Sequence, residues 1–201
     1  PAAIDDVTLT SSAPGNFISV ATGNWGTAAT WDANAVPTPL DNVTVDTGHV
    51  VTINASGQAA SNLTVKGTLA YGTSPTSFTV NGNLNVNPGG IVNAFNGTSG
   101  KTLNISGNIV NDGTIDLSVG STSSGNLTLN GVNVQSVSGS GTFNNGVIRN
   151  LTFSNTSTAV PNINWSFNNI KVAYNLNMTG AKVNLGNNKI TFGNNAAGNT
   201  L

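Results

Sequence analysis

The 201-residue chain has no cysteine, no glutamate and a single histidine, His49. Without cysteine there is no disulfide framework, thiolate metal site or cysteine nucleophile, and one histidine excludes a multi-histidine metal centre. Charge is equally scarce. Six Lys and Arg face seven acids, all of them Asp, so 6% of residues are charged and the formal net charge is -1. Six scattered cations do not make the basic footprint that nucleic-acid binding requires. Apolar runs are only a few residues long, so membrane insertion through a helix is not expected. Strong helix formers are few, with two Gln and one Met beside the missing Glu.

What is there is Asn, at about one residue in six, Thr at about one in eight, and 24 Gly. These are poor helix-interior residues that favour turns and strands. Val, Ile, Leu and Phe recur too regularly among them for disorder. An apolar-polar-apolar strand, usually preceded by Asn, appears as Asn42-Val-Thr-Val45, Asn62-Leu-Thr-Val65, Ser77-Phe-Thr-Val80, Thr102-Leu-Asn-Ile105, Asn126-Leu-Thr-Leu129, Asn150-Leu-Thr-Phe153, Asn169-Ile-Lys-Val172 and Lys189-Ile-Thr-Phe192. The intervals between copies are 20, 15, 25, 24, 24, 19 and 20 residues, the irregular 15 and 25 together making two ordinary periods. Second strands such as Gly82–Val86, Gly107–Val110, Gly131–Val134 and Tyr174–Met178 follow after a turn. Two or three short strands per period, with Gly and Asn between them, predict an all-β chain: a parallel, right-handed β-helix solenoid of about eight coils, roughly 35–40 Å long.

In that arrangement Val43/Val45, Leu63/Val65, Phe78/Val80, Leu103/Ile105, Leu127/Leu129, Leu151/Phe153, Ile170/Val172 and Ile190/Phe192 stack as one core column, because alternate strand residues face inward. The competing fold is a sandwich or propeller of hairpins, since Asn81-Gly82, Asn130-Gly131 and Asn145-Gly146 are hairpin signals. Residues 1–40 differ from the repeats: Asp5–Thr10 has a strand pattern, and Trp25, Trp31, Pro37 and Pro39 read as an N-terminal strand and capping segment before repeats over 41–201. The terminal Gly193–Leu201 looks like the start of another turn and strand, as if the repeats continue.

The strings Gly23-Asn-Trp25, Thr30-Trp31, Val36-Pro-Thr38, Asp41-Asn-Val-Thr-Val45 and Gly48-His-Val-Val-Thr-Ile53 resemble the opening of surface β-helix proteins of Bacteroidetes-type bacteria, with a distant likeness to the G8 domain of extracellular proteins. Residues 107–117, 139–155 and 184–193 are similar to later strings of the same bacterial proteins, so the likeness covers roughly residues 17–201. It implies a secreted or cell-surface protein, often adhesive, exported by a type IX system through a separate C-terminal sorting domain. Partners are then surface glycans, other copies of the chain and the secretion machinery.

Candidate sites are few. The most conspicuous is the outward ladder, with Thr44, Thr64, Thr79, Asn104, Thr128 and Thr152 in a central row and Asn62, Asn126 and Asn150 in the row beside it. Such a flat, neutral face suits a glycan, a second subunit or, less well because the second row is Asn, ice. Thr is also an ordinary solvent-face strand residue. Trp25 and Trp31 suit either sugar stacking or the cap. Polysaccharide cleavage needs two carboxyl groups on one sugar. Only Asp112 and Asp116 lie in the body of the repeats, and Asp112 sits in an Asn-Asp-Gly turn. No catalytic role, cofactor or metal is therefore expected. Asp5, Asp6, Asp41 and Asp46 read as solvated turn acids rather than calcium ligands, His49 as a strand or turn residue, and the many Asn-X-Ser/Thr sequons as a product of composition. With so little charge to oppose association, copies are expected to join end to end.

Overall fold

A computed structural model describes residues 13–74, 77–93, 100–119, 122–123 and 125–193. The strand expected at Asp5–Thr10 and the turn expected over 194–201 lie outside the described residues. Among the described residues the structure is all-β apart from two short 3-10 turns, and it winds as a parallel β-solenoid of about seven turns.

Three sheets make its faces. The first has eight strands in chain order, Asn16–Ile18, Asn42–Val45, Leu63–Val65, Leu84–Val86, Ile109–Asn111, Gln135–Ser138, Ile163–Trp165 and Val183–Asn184. The second runs from Gly23–Asn24 through Val50–Ile53, Thr68–Tyr71, Ile91–Asn93 and Thr114–Asp116 to Thr142–Phe143. The third runs from Ala59–Ala60 through Ser77–Val80, Lys101–Ile105, Gly125–Leu129, Val147–Phe153 and Ile170–Asn177 to Ile190–Phe192. Every pairing within these sheets is parallel; among the described strands only Ser118–Val119 and Thr122–Ser123 pair antiparallel, in an excursion from the stack.

Each coil encloses its share of one continuous apolar shaft. On the first face Phe17, Val43, Leu63, Leu84, Ile109, Val137 and Trp165 stand in register. On the third, Phe78, Leu103, Leu127, Leu151 and Leu176 do the same. Val51, Leu69, Val92, Ile115 and Phe143 line the second. From Val43 to Trp165 these residues are buried, because no coil alone can cover its apolar side.

The single column expected from the sequence is thus two columns on different faces. Val43/Val45 and Leu63/Val65 belong to the first face, whereas Phe78/Val80 and the copies that follow belong to the third. The 15-residue interval is not a short coil but a step from one face to another. At the far end the register also differs: Leu151 and Thr152 pair with Leu176 and Asn177, while Lys171 pairs with Val147 and Thr191. A bulge between Ile148 and Asn150 shifts the alignment.

The Asn-Gly dipeptides turn corners, not hairpins. Gly82, Gly107 and Gly131 stand between the third and first faces, and a Cβ on Gly107 would come within 2.4 Å of the Gly82 backbone. Between the first and second faces, Gly67, Gly90, Gly113 and Gly141 form a second column, each with backbone of the preceding coil within 2.3 Å of where a Cβ would sit. Asn145 and Gly146 adopt positive φ in the turn at Asn144–Gly146.

The segment expected to precede the stack is partly inside it. Asn16–Ile18 is the first strand of the first face and Gly23–Asn24 the first of the second, pairing with Asn42–Thr44 and Val51–Thr52, so strands on both sides of residue 40 belong to the same coils.

Candidate functional site

The polar rows on the outer faces arise from strand alternation, and their hydrogen bonds sort them into two kinds. On the first face, Asn42 Nδ2 donates to Asn16 Oδ1 (3.1 Å) and Asn62 Nδ2 to Asn42 Oδ1 (2.8 Å). Asn62 Oδ1 then accepts the Asn83 N–H at 2.8 Å, Asn83 Oδ1 the Asn108 N–H at 2.8 Å, and Asn108 Oδ1 the Ser136 N–H at 2.8 Å. On the third face, Asn126 Nδ2 donates to Thr102 Oγ1 (3.1 Å), Asn150 Nδ2 to Asn126 Oδ1 (2.8 Å), and the Asn175 N–H to Asn150 Oδ1 (3.1 Å). Asn62, Asn126 and Asn150 therefore spend their amides on neighbouring coils.

The central-row residues differ. Thr44 and Thr64 stand side by side on the first face, followed by Asn85. Thr79, Asn104, Thr128, Thr152 and Asn177 stand in register on the third. The proposed single ladder is therefore divided in two, for the same reason as the core column. Thr44, Thr64, Thr79, Asn104, Thr128 and Thr152 are half-buried and form no side-chain hydrogen bond among the described residues. The third face thus offers a row of uncommitted hydroxyls and amides beside a row of committed ones.

Trp25 and Trp31 are both 1% exposed, which removes them as sugar-stacking platforms. They plug the N-terminal end of the shaft. Trp31 Nε1 donates to the Trp25 carbonyl at 2.9 Å, and Trp25 meets Trp31 and Phe78 edge-on at centroid distances of 5.1 and 4.8 Å. At the other end Trp165 contacts Phe143, Phe153 and Phe167.

The acids are engaged in turns. Asp112 accepts the Ser140 N–H and Oγ–H at 2.8 and 2.9 Å, which hold its carboxyl below the usual range. Asp116 accepts the Ser118 N–H and Oγ–H, both at 2.9 Å, and Asn144 Nδ2 at 2.9 Å. Asp41 is 6% exposed; burial acts to raise its pKa, but the Thr38 Oγ–H and N–H and the Gly15 N–H bring it below the usual value. Asp46 is lowered first by the Thr47 N–H and then by Lys66, 3.4 Å away. Asp5 and Asp6 lie outside the described residues, and no group of three or more potential metal-ligating side chains occurs among the described ones.

Sequence reasoning missed three features. Ser19 Oγ is 2.9 Å from His49 Nδ1 and accepts the Asp46 N–H at 2.8 Å, pinning the first two coils together. Lys101 is 3% exposed, donates to the Thr73 carbonyl at 2.6 Å, and its pKa is lowered by desolvation. Gln135, Asn155 and Asn162 form an inward polar stack: Gln135 Nε2 donates to the Ile105 and Gly107 carbonyls, Asn155 Nδ2 to Gln135 Oε1, and Asn162 Nδ2 to the Asn155 carbonyl. These contacts join residues 20–30 positions apart except the last, and no local motif announces them.

Compared with known proteins, the chain matches no family model, no curated protein and no solved structure. No helix among the described residues is long and apolar enough to cross a membrane.

Proposed function

We propose that the chain is a stiff spacer in a secreted or cell-surface protein, a β-solenoid segment that projects or presents other parts. One observation carries this reading: the repeating Asn side chains on two faces bond from coil to coil, so the outer surface reinforces the stack that the apolar shaft already holds. The resemblance of residues 17–201 to bacterial surface β-helix proteins supports an adhesive context and type IX export. On this reading the segment performs no chemistry.

A second reading is favoured by the uncommitted row Thr79, Asn104, Thr128 and Thr152, which supplies hydrogen-bonding groups at strand spacing for a neutral glycan. A glycan array and a polysaccharide-degradation assay separate the two. The spacer reading expects neither saturable binding nor product. Binding that Thr128→Val and Thr152→Val abolish would establish the second reading, and release of oligosaccharides would overturn both.

A further inference from the structure

The few charges of the chain are unevenly placed. All seven Asp lie at or before Asp116, together with Lys66 and Lys101; residues 117–201 contain no acidic side chain and the other four cations, Arg149, Lys171, Lys182 and Lys189. Three of those four fall on the third face. Arg149 is on the strand Val147–Phe153, Lys171 on Ile170–Asn177, and Lys189 immediately precedes Ile190–Phe192. These strands are neighbours in the sheet, so three consecutive coils carry one cation each, at about 4.8 Å per coil. Lys171 pairs with Val147 and with Thr191, which places Arg149 two residues onward on one neighbouring strand and Lys189 two residues back on the other side. Lys182 stands apart, ahead of the first-face strand Val183–Asn184.

All three point outward. Arg149 follows the buried Ile148, Lys171 lies between the buried Ile170 and Val172, and Lys189 is exposed. Lys171, the middle of the three, has a described strand on each side, so the patch does not depend on an edge. Arg149 Cζ lies 4.7 Å from the Tyr174 ring centroid; the ring steadies the guanidinium and leaves its N–H edge for an acceptor. The Lys171 stem lies across the next coil, where a Cβ on Gly193 would meet its Cε at 2.5 Å. Lys66 is paired with Asp46, and Lys101 donates to the Thr73 carbonyl. Arg149, Lys171 and Lys189 form no ion pair and no side-chain hydrogen bond among the described residues. Three like charges without a counter-charge repel one another, so the fold draws no stability from their grouping.

A negatively charged partner removes that repulsion, and the spacing selects its form. Duplex nucleic acid carries one charge per ~1.7 Å of axis, far denser than one cation per ~4.8 Å. A polysaccharide with one carboxylate per sugar is the sparser match. Its hydroxyls also need uncharged hydrogen-bonding groups, and the exposed Asn169 and Asn175 flank Lys171. We propose that Arg149, Lys171 and Lys189 form a binding site for a linear acidic polysaccharide, one bearing a carboxylate on each sugar, that runs across these coils on the third face. The Arg149 guanidinium takes one carboxylate through two N–H groups, and the lysines hold others as point charges. A spacer that lies along an acidic polymer is still a spacer, and the neutral row Thr79, Asn104, Thr128 and Thr152 uses other residues. The inference therefore goes beyond both readings above and depends on neither.

Calorimetric titration of the 201-residue chain with polygalacturonate tests the proposal, with an uncharged galactan, duplex DNA and vesicles of anionic lipid as the comparison probes. Saturable binding to polygalacturonate is expected to exceed that to each other probe, and to weaken roughly 10-fold when salt rises from about 50 to about 200 mM. Arg149→Gln, Lys171→Gln and Lys189→Gln combined should weaken it by roughly 10- to 100-fold. Lys182→Gln removes the same charge from the first face and should leave affinity within about 2-fold, as should Thr128→Val with Thr152→Val. Should the triple variant fail to fold by circular dichroism, Lys171→Gln with Lys189→Gln serves instead and should weaken binding by at least about 5-fold. Absence of binding to polygalacturonate, equal binding to any other probe, an equal loss with Lys182→Gln, or a loss confined to the Thr128 and Thr152 variant would each overturn the proposal.

Discussion

Asn126 and Thr128 stand two residues apart on the same strand, point outward together and are both half-buried, yet they should differ sharply in what they contribute. Asn126 donates to Thr102 Oγ1 at 3.1 Å and accepts from Asn150 Nδ2 at 2.8 Å, linking three consecutive coils. Two such bonds at roughly 0.5–1.5 kcal/mol each predict that Asn126→Ala costs about 1–3 kcal/mol. Thr128→Val keeps the shape and the strand preference and removes a hydroxyl with no described partner, so it should change stability by less than about 0.5 kcal/mol. Urea unfolding followed by circular dichroism resolves the difference. With a slope of about 2 kcal/mol per molar urea, Asn126→Ala moves the midpoint down by roughly 0.5–1.5 M and Thr128→Val leaves it in place. Equal midpoints for the two variants would refute the idea that the Asn rows are structural ladders.

Three other outcomes follow from the same geometry. Leu103 is fully buried between Phe78 and Leu127, so Leu103→Ala should cost about 2–5 kcal/mol in the same urea assay, and a loss under 1 kcal/mol would mean the shaft is not packed there. Gly113→Ala sets a methyl 2.3 Å from the Gly90 carbonyl oxygen and should destabilise by about 1–3 kcal/mol, whereas Gly48→Ala, with open space around it, should suffer only its positive φ. The lowered pKa of Asp41 predicts an acid limb. A carboxyl depressed in the folded state contributes fully above its unfolded value near 3.8 and loses that contribution as pH falls through the folded value. Thermal midpoints should therefore hold steady above about pH 5 and drop below 3.8, less steeply in Asp41→Asn; parallel curves for both proteins would contradict the assignment.

The strand pattern was legible because each coil must hide alternate side chains, and Leu63-Thr-Val65 or Leu127-Thr-Leu129 states that directly. Which face a strand occupies was not legible. All three faces bury alternate residues, and the first and third share the same Asn-X-Thr-X wording, so Leu63 and Phe78 look like neighbours in one column. Only the chain length between corners distinguishes them, and excursions such as the one around Ser118–Ser123 blur it. The N-terminal coil was obscured for a related reason: Asn16–Ile18 and Gly23–Asn24 are too short to show alternation, although they pair in register with Asn42–Thr44 and Val51–Thr52. The Asn rows were visible as a surface, but their commitment to one another depends on distances between coils. Trp25 and Trp31 were visible as a pair, and their burial decides between the two roles the sequence allowed.

Engineered cysteine pairs test the stacking most directly, since the chain has no native cysteine to interfere. Thr64 and Asn85 are in-register neighbours on the first face, while Thr64 and Thr79 lie on different faces. Neighbouring parallel strands bring Cα atoms to about 4.8 Å, within the range a disulfide spans. The double variant Thr64→Cys/Asn85→Cys should oxidise to an intramolecular disulfide, and Thr64→Cys/Thr79→Cys should stay reduced. The reverse result would mean that the strands are not arranged on three stacked faces.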